Sequence, residues 1–323
     1  MVTEFGEVEE VLVKKYGLKV QEILQMTKGV GGENYKICTD DYDFICKIAD
    51  SNEMNHPEEE PAICEFLHGR GIPVSEFLKN VAGELVTSFD ERRVCHVQKF
   101  VEGKVFGMNK APEWFLQQAP LLLGQIHREL QGYKELPVGI GENFFRYMTP
   151  ERARQSYIQS YKNAEYIGET DILEALEVRL KALEKMADWN FNVEKLTYRN
   201  SHGDYTVNQI IAGEHQINAV IDWTCACRQP VIWEITRSFF YASPKCAEGG
   251  FSEKEFEAYV DRYCSEAALN AYDKDNLLKL YLYQLAMCDY YAQYFGADSH
   301  KKEEYLTQAK FATKVLEKSL GYV

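Results

Sequence analysis

Two aspartates that lie eighteen residues apart stand in stretches suited to metal binding and proton transfer. The first, Asp204, is followed four and five residues later by Asn208 and Gln209, and the second is Asp222, within an Ile-Asp-Trp triplet. Carboxylate and amide oxygens suit Mg²⁺, a hard cation that takes few protein ligands and leaves positions for phosphate oxygens. The residue types therefore indicate a magnesium site that handles phosphate.

The segment between the two aspartates predicts a β-hairpin. Strand-forming runs at residues 209–211 and 217–221 flank Gly213-Glu214-His215, which is typical of a turn. A hairpin returns its two ends to one place. We therefore expect Asp204, the carboxamide after it and Asp222 to cluster.

This pattern resembles the aminoglycoside phosphotransferase and choline kinase family, small-molecule kinases with a protein-kinase-like fold. The matching residues are His202-Gly203-Asp204 and Ile221-Asp222-Trp223. The resemblance implies that Asp204 is the catalytic residue, which orients or deprotonates an acceptor hydroxyl, and that Asp222 holds Mg²⁺. It implies ATP as the donor, with GTP left open. It also implies an α+β fold of two lobes, with a small antiparallel β-sheet N-lobe and a mainly helical C-lobe.

A glycine-rich stretch near the N-terminus extends the resemblance. Three glycines between two predicted strands let the backbone turn come close to a ligand, most often a phosphate, although a plain glycine-rich hairpin turn is equally common. The run G-G-E-N-Y is similar to the nucleotide-covering loop of the family. Nucleotide contacts are accordingly implied for Gly31, Gly32 and Asn34.

The next strand places Lys47 among apolar neighbours. A strand lysine is usually an exposed edge residue, but this position matches the phosphate-contacting lysine of the family. A helix ending at a Gly-Ile-Pro-Val turn follows, and its register with the family places the acidic partner of Lys47 at Glu60, with Glu59 as the alternative.

The periodicity changes from two to 3.6 residues after about residue 103, which indicates a change from sheet to helices. We therefore expect an N-lobe at residues 1–98, a hinge at 99–103 and a helical C-lobe at 104–323, which carries the catalytic loop and the acceptor site. In the resemblance, the backbone from Gln98 to Val101, including Phe100, meets the purine.

Two positions depart from the family pattern. The family has an asparagine five residues after the catalytic aspartate, whereas this chain has Gln209 there and Asn208 one residue earlier. Adjacent residues entering a strand project to opposite faces, so one of the two should reach the metal, and the unchanged aspartate spacing favours Gln209. Glu234 stands where the family has an aspartate that braces the catalytic loop, which leaves the bracing geometry open.

Composition sets limits on the partners. The 50 acidic and 36 basic residues give a formal charge of −14, which argues against a nucleic-acid partner. This charge is more typical of a solvated acidic surface, but it also mildly favours a cationic acceptor near Glu234, Asp289 and Asp298. No apolar run reaches the length of a membrane span, and the acidic N-terminus is unlike a signal peptide. A cytoplasmic enzyme with a small-molecule hydroxyl acceptor is expected.

Two other functions compete with this one. A catalytically inactive nucleotide-binding or structural relative, such as the spore-coat members of the family, is disfavoured because Lys47, Asp204 and Asp222 are all present. A protein kinase is disfavoured because no activation segment with an Ala-Pro-Glu end follows Asp222. Aminoglycoside-like, choline-like and homoserine-like acceptors all remain open, as does the oligomeric state.

Overall fold

The computed structural model describes residues 4–29, 32–50, 56–297 and 299–319. Its strands pair in antiparallel fashion throughout. Numbered in chain order, they are β1 (Glu22–Gly29), β2 (Gly32–Cys38), β3 (Phe44–Asp50), β4 (Phe77–Leu78), β5 (Thr87–Ser88), β6 (Arg93–Lys99), β7 (Lys104–Val105), β8 (Tyr198–Ser201), β9 (Ile210–Ala212), β10 (Ile217–Val220) and β11 (Cys227–Pro230).

Most of the α-helices lie in the last two-thirds of the chain. None of the helices that the structure describes combines the length and the apolar character that a membrane span requires. In chain order they are α1 (Glu4–Tyr16), α2 (Glu59–His68), α3 (Glu113–Glu129), α4 (Ile140–Tyr147), α5 (Pro150–Ile167), α6 (Thr170–Lys185), α7 (Ile232–Ala242), α8 (Glu253–Glu266), α9 (Ala271–Met287), α10 (Tyr290–Gly296) and α11 (Ser299–Ser319).

The chain folds into two compact units. The first comprises Met1–Val105 and Gln209–Ala226, and the second comprises Phe106–Asn208 and Cys227–Val323. A mainly antiparallel-sheet N-terminal region and a mainly helical remainder confirm the expected α+β fold. The first boundary falls just after the predicted hinge at 99–103, but Gln209–Ala226, expected in the C-lobe, belongs to the first unit.

In the first unit, strands β1-β2-β3-β6-β4 lie side by side in that order, with β5 also paired to β6. Alternate residues of a strand point to opposite faces, so each strand contributes every second side chain to one face. Helix α1 covers one face through apolar residues at helical spacing. This core comprises Val8, Leu12, Tyr16, Tyr35, Ile37, Phe44, Cys46, Ile48, Cys95 and Val97.

The opposite face of the same sheet carries polar side chains. Lys47 on β3 is paired with Asn34 on β2 and with His96 on β6, and Gln98 is paired with Ile45. Because paired residues share a face and residues two apart along a strand do too, these positions all lie opposite the α1 core. The alternation thus groups Asn34, Lys47 and Gln98 on one surface.

The predicted hairpin between the aspartates is present as β9 and β10. It joins the first unit because Lys104 on β7 pairs with Ala212 on β9, and because the Val220 N–H donates to Pro73 O at 2.9 Å. Gly103 has φ +147°, and a Cβ there would lie 2.7 Å from Ala212 O. A glycine is therefore needed for the chain to pass this close to β9.

In the second unit, the long helices α3, α5, α6, α8 and α9 agree with the helical periodicity predicted after residue 103. Helices α9 and α10 follow each other closely and are separated by a break at Cys288. Side chains explain the break, because Tyr157 Oη donates to Ala286 O and to Cys288 O at 2.7 and 2.8 Å. Arg179 Nη1 also donates to Cys288 O. These contacts satisfy carbonyl groups that a continuous helix would have used.

Candidate active site

Lys47 on β3 lies between two carboxylates of the first unit. Its Nζ atom is 3.3 Å from Oε2 of Glu60 and 3.0 Å from Oδ1 of Asp222. The predicted ion pair between Lys47 and Glu60 is therefore present, and it uses the buried Glu60 rather than the half-buried Glu59. The part that this pair plays in nucleotide binding stays a prediction.

Burial opposes the charges in this cluster, yet the neighbouring charges prevail. Burial would raise the pKa of Glu60, but His96 and Lys47 beside it lower that pKa to about 2. The His96 Nε2 atom lies 3.3 Å from Glu60 Oε2 but does not have hydrogen-bond geometry. Because Lys47 Nζ does donate to Glu60 Oε2, we attribute the lowered pKa of Glu60 mainly to Lys47. Burial would likewise lower the pKa of Lys47, whereas Glu60 and Asp222 raise it. Lys47 and Glu60 are therefore both charged at neutral pH.

The backbone around Asp222 aims its carboxylate at Lys47. Asp222 adopts the left-handed conformation, with φ +61° and ψ +66°, which few residues other than glycine, asparagine and aspartate adopt readily. Thr224 Oγ1 donates to Asp222 Oδ1 at 2.7 Å, and the Trp223 N–H donates to Glu60 Oε1 at 3.1 Å. Glu60 thus holds both Lys47 and the residue that follows Asp222.

The donor atoms around Asp222 suit Mg²⁺. The Asp222 side chain remains 43% exposed, and the Ile221 N–H donates to Gln209 O at 2.9 Å, which places Gln209 across the hairpin from the residue before Asp222. A carboxylate and a carboxamide oxygen are hard ligands of the kind that Mg²⁺ takes. These residues therefore fit the ion that the resemblance implies, and their role as ligands stays a prediction.

Strand alternation does not separate Asn208 from Gln209, contrary to the expectation from the sequence. Both residues lie in a short 3-10 turn, Val207–Gln209, that precedes β9, so the alternation of side chains along a strand does not apply to them. Gln209 is half-buried, and Asn208 is exposed. Gln209 remains the favoured metal ligand because its backbone pairs with that of Ile221, the residue before Asp222.

The glycine-rich turn is described in part. Gly31 lies outside the described residues. Gly32 has φ +121°, and a Cβ there would lie 2.3 Å from Ile48 O, so a side chain is excluded by both conformation and space. Asn34 lies next to Lys47 on the polar face of the sheet. Nucleotide contacts of Gly32 and Asn34 stay predictions.

The expected purine contacts of the segment from Gln98 to Val101 stay predictions, but two of its backbone amides are engaged within the protein. The Lys99 N–H donates to Glu76 O at 2.8 Å and the Phe100 N–H donates to Asp43 O at 2.9 Å, so neither amide is available to a base. The Phe100 ring centroid lies 4.1 Å from Lys36 Nζ. The two acceptors are the carbonyl groups of the residues just before β4 and β3, which local sequence patterns do not reveal.

In the second unit, Asp204 lies on the loop after β8, and Glu234 on α7 braces that loop. Glu234 Oε1 accepts hydrogen bonds from the backbone N–H groups of Gly203 and Tyr205. The longer glutamate therefore does what the resemblance assigns to an aspartate. The structure thus defines the bracing geometry that the sequence left open.

A buried histidine completes this brace. His127 Nε2 lies 2.8 Å from Glu234 Oε2, and its Nδ1 lies 2.8 Å from Tyr263 Oη. A carboxylate only accepts, so Nε2 carries the proton. Burial would raise the pKa of Glu234, but the bond from His127 prevails and lowers it. His127 is fully buried, so its role in this brace is structural.

Arg237 contacts the candidate catalytic aspartate directly, and sequence reasoning missed it. Its Nη2 atom lies 2.8 Å from Asp204 Oδ1. Its guanidinium carbon lies 5.5 Å from the Trp233 ring and 5.4 Å from the Tyr241 ring. The signal in the sequence is an arginine three residues after Glu234 on an otherwise apolar helix, which places both side chains on one side of α7.

A cavity of about 300 Å³ opens between α4, α5 and the start of α10, all in the second unit. Its wall includes Phe144, Tyr147, Arg152 and Asp289. The Phe144 ring lies 5.5 Å from the Trp233 ring, which in turn contacts Arg237. A series of contacts from Phe144 through Trp233 to Arg237 therefore connects the wall of this cavity to Asp204.

The three acidic residues expected to favour a cationic acceptor differ in their placement. Glu234 is 1% exposed and committed to the catalytic loop, so it cannot receive an acceptor, contrary to expectation. Asp298 lies outside the described residues. Asp289 lines the cavity, where its Oδ1 accepts a hydrogen bond from Gln293 at 2.6 Å.

A sequence comparison identifies the family of the chain. The model of the phosphotransferase enzyme family, abbreviated APH, matches residues 22–275. The chain therefore belongs to this family. No curated protein matches the chain significantly.

Solved structures share the fold at low sequence identity. A spectinomycin phosphotransferase, APH(9)-Ia, solved with ADP and spectinomycin, is 16% identical over 96% of both chains, with a TM-score of 0.62. The amicoumacin kinase hAmiN, solved with AMP-PNP, Ca²⁺ and its ligand Ami, is 12% identical over 98% of this chain and 94% of its own, with a TM-score of 0.66. A microcompartment-associated aminopropanol kinase is 13% identical over 98% and 97%, with a TM-score of 0.64.

Proposed function

We propose that this protein is a small-molecule kinase that transfers the γ-phosphoryl group of ATP to a hydroxyl of its acceptor in the cytoplasm. The observation that carries the proposal is that each of the two key aspartates is engaged by a cation, Lys47 at Asp222 and Arg237 at Asp204. Family membership and neighbours whose structures contain ADP or AMP-PNP support it.

The residues of each cluster have separate parts in the reaction. Asp222 and Gln209 would hold Mg²⁺, which neutralises phosphate charge when bound. Lys47, held by Glu60, contacts the phosphates of the nucleotide. Asp204 orients the acceptor hydroxyl and receives its proton as the new bond from oxygen to phosphorus forms. The bond from the γ-phosphorus to ADP breaks, and ADP leaves with the bonding electron pair.

The acceptor that we propose carries a positive charge and binds in the cavity lined by Asp289. A cavity of about 300 Å³ is at the lower end of the range of small-molecule sites, so a compact acceptor fits best. The Asp289 carboxylate attracts an ammonium group, and the rings of Phe144 and Tyr147 accept one through cation–π contacts. Arg152 on the same wall repels a second cation, so the charge of the acceptor would point toward Asp289.

The decisive experiment measures ADP release with ATP, Mg²⁺ and a panel of acceptors that pairs each amino alcohol or amino sugar with its neutral analogue. We expect release that depends on one aminated acceptor, and Asp289→Asn should raise KM for that acceptor while leaving KM for ATP unchanged. A neutral sugar as the best substrate would overturn the charge assignment. Nucleotide binding without turnover across the panel would favour the inactive relative instead.

A further inference from the structure

Helix α7 presents two charged residues to the loop that holds Asp204. Glu234 and Arg237 are three residues apart, which places them on one side of the helix. Glu234 binds the backbone N–H groups of Gly203 and Tyr205, on either side of the aspartate. This brace fixes the backbone of Asp204 but not the rotation of its side chain.

Arg237 contacts the Asp204 side chain, whose rotation Glu234 does not restrict. The contact from Nη2 to Asp204 Oδ1, at 2.8 Å, has the length of a charge-assisted hydrogen bond. The Arg237 side chain is 15% exposed and lies between the rings of Trp233 and Tyr241. Because those rings restrict the guanidinium, the oxygen that it binds is restricted as well.

The pair is not a surface ion pair of little consequence. A guanidinium removed from water needs a compensating negative charge, and losing one partner of a buried pair leaves the other uncompensated. Burial would lower the pKa of Arg237, but Asp204 raises it above its usual value, so the arginine remains charged. The Asp204 side chain is still 32% exposed, which leaves surface for an acceptor to reach it.

We propose that Arg237 is a positioning residue for phosphoryl transfer: it holds the Asp204 carboxylate in one orientation through Oδ1, so that the acceptor hydroxyl meets an aligned base. The inference rests on the proposed function. It divides the work of α7 between Glu234, which fixes the backbone of the loop, and Arg237, which fixes its reactive side chain. Arg237 itself touches no substrate in this role.

Kinetics of Arg237→Ala test the proposal. Loss of alignment acts on the chemical step, so we expect kcat to fall by about 10- to 100-fold while KM for ATP and for the acceptor stays within about threefold. Added guanidinium ion should restore part of kcat by occupying the space of the missing side chain. Arg237→Lys should be intermediate, because lysine keeps the charge but not the planar fork.

Arg128 provides a matched control in the same unit. It pairs with Glu129 and with Glu266 on α8, its side chain is 47% exposed, and it has no contact with Asp204 among the described ion pairs. Arg128→Ala should keep the kcat of the wild type and should not respond to guanidinium. A wild-type kcat in Arg237→Ala, or a loss that appears only in KM, would overturn the proposal.

A stability measurement separates this inference from the proposed function. Thermal unfolding of Arg237→Ala, Asp204→Ala and the double variant forms a double-mutant cycle that needs no turnover. We expect the double variant to lose less than the sum of the single variants. Additive losses would refute the pairing. Absence of turnover in the wild type with every acceptor would refute the proposed function, while a non-additive cycle in the same proteins would still support the pairing.

Discussion

The two units hold their key aspartates with different kinds of cation. In the first unit, Lys47 is shared between Asp222 and Glu60, at 3.0 and 3.3 Å. In the second unit, Arg237 engages Asp204 at 2.8 Å between two aromatic rings. If Asp222 binds a metal ion, the shared lysine still has Glu60 as a partner, whereas the packed arginine has Asp204 as its carboxylate partner. Asp222 would then be able to exchange partners, while Asp204 would stay paired.

The supports of the two aspartates also differ in their distance along the chain. Asp222 is placed by its own left-handed backbone and by Thr224, two residues away. Asp204 is placed by Glu234 and Arg237, about thirty residues later on α7. The first arrangement is mainly local, and the second depends on the packing of helices. Substitutions should therefore affect binding in the first unit and alignment in the second.

The largest effect is expected for Asp222→Ala. It removes the carboxylate that would hold Mg²⁺, so Mg²⁺-dependent nucleotide binding should be lost, with a fall in kcat/KM of about 10³-fold or more. Titration calorimetry with Mg-ATP measures the loss directly. Lys47 retains Glu60 in this variant, so thermal stability should change little. Unchanged affinity for Mg-ATP would remove Asp222 from the metal site.

Asp204→Asn tests the aspartate of the second unit. Nucleotide affinity should remain close to that of the wild type, while turnover falls by about 10²-fold or more, because the group that aligns and deprotonates the acceptor is gone. Calorimetry and ADP release on the same sample separate the two effects. The variant also leaves the Arg237 guanidinium without its counter-charge, so its melting temperature should fall. Undiminished turnover would exclude Asp204 from the chemistry.

The next effect concerns Gln209 and Asn208. If the Gln209 carboxamide is a ligand beside Asp222, Gln209→Ala should raise the Mg²⁺ concentration for half-maximal turnover and lower kcat by about tenfold. Asn208→Ala is the matched control, and it should change either value by less than about threefold. Both are read from ADP release at varied Mg²⁺. The reverse ranking would assign the metal to Asn208 and would mean a shortened catalytic loop.

Local patterns in the sequence predicted the first unit well. The β-branched runs around a glycine turn predicted the β9-β10 hairpin, and the spacing to the Gly-Ile-Pro-Val turn selected Glu60 as the partner of Lys47. The hairpin was predicted from residues close together in the sequence, and Glu60 was predicted from its spacing in the family pattern. The hydrogen bonds from the Lys99 and Phe100 amides to Glu76 O and Asp43 O could not be predicted from local patterns, because they depend on which strands pair.

The second unit was predicted less completely for physical reasons. Arg237 contacts Asp204 through the packing of α7, and an arginine in an apolar helix gives no sign of its partner. Helix α4 has eight residues, Ile140–Tyr147, and is shorter than the window over which periodicity can be recognised. The break before α10 depends on Tyr157 and Arg179, which are remote in sequence. Each of these features is tertiary in origin.

The smallest predicted effect concerns stability at acid pH and compares Glu60 with its neighbour Glu59. The pKa of Glu60 is lowered from 4.5 to about 2 in the folded protein, so its contribution to stability is complete above about pH 4.5 and is lost as the pH falls toward 2. Glu60→Gln should lower the melting temperature by about 5 °C at pH 7, and this difference should shrink markedly at pH 3. Glu59→Gln is the control for charge alone, since Glu59 is only half-buried and does not pair with Lys47. Scanning calorimetry of the three proteins at both pH values gives the comparison. A difference that is equal at pH 7 and pH 3 would mean that Glu60 stabilises by packing rather than by charge, and the cluster around Lys47 would then lose its electrostatic explanation.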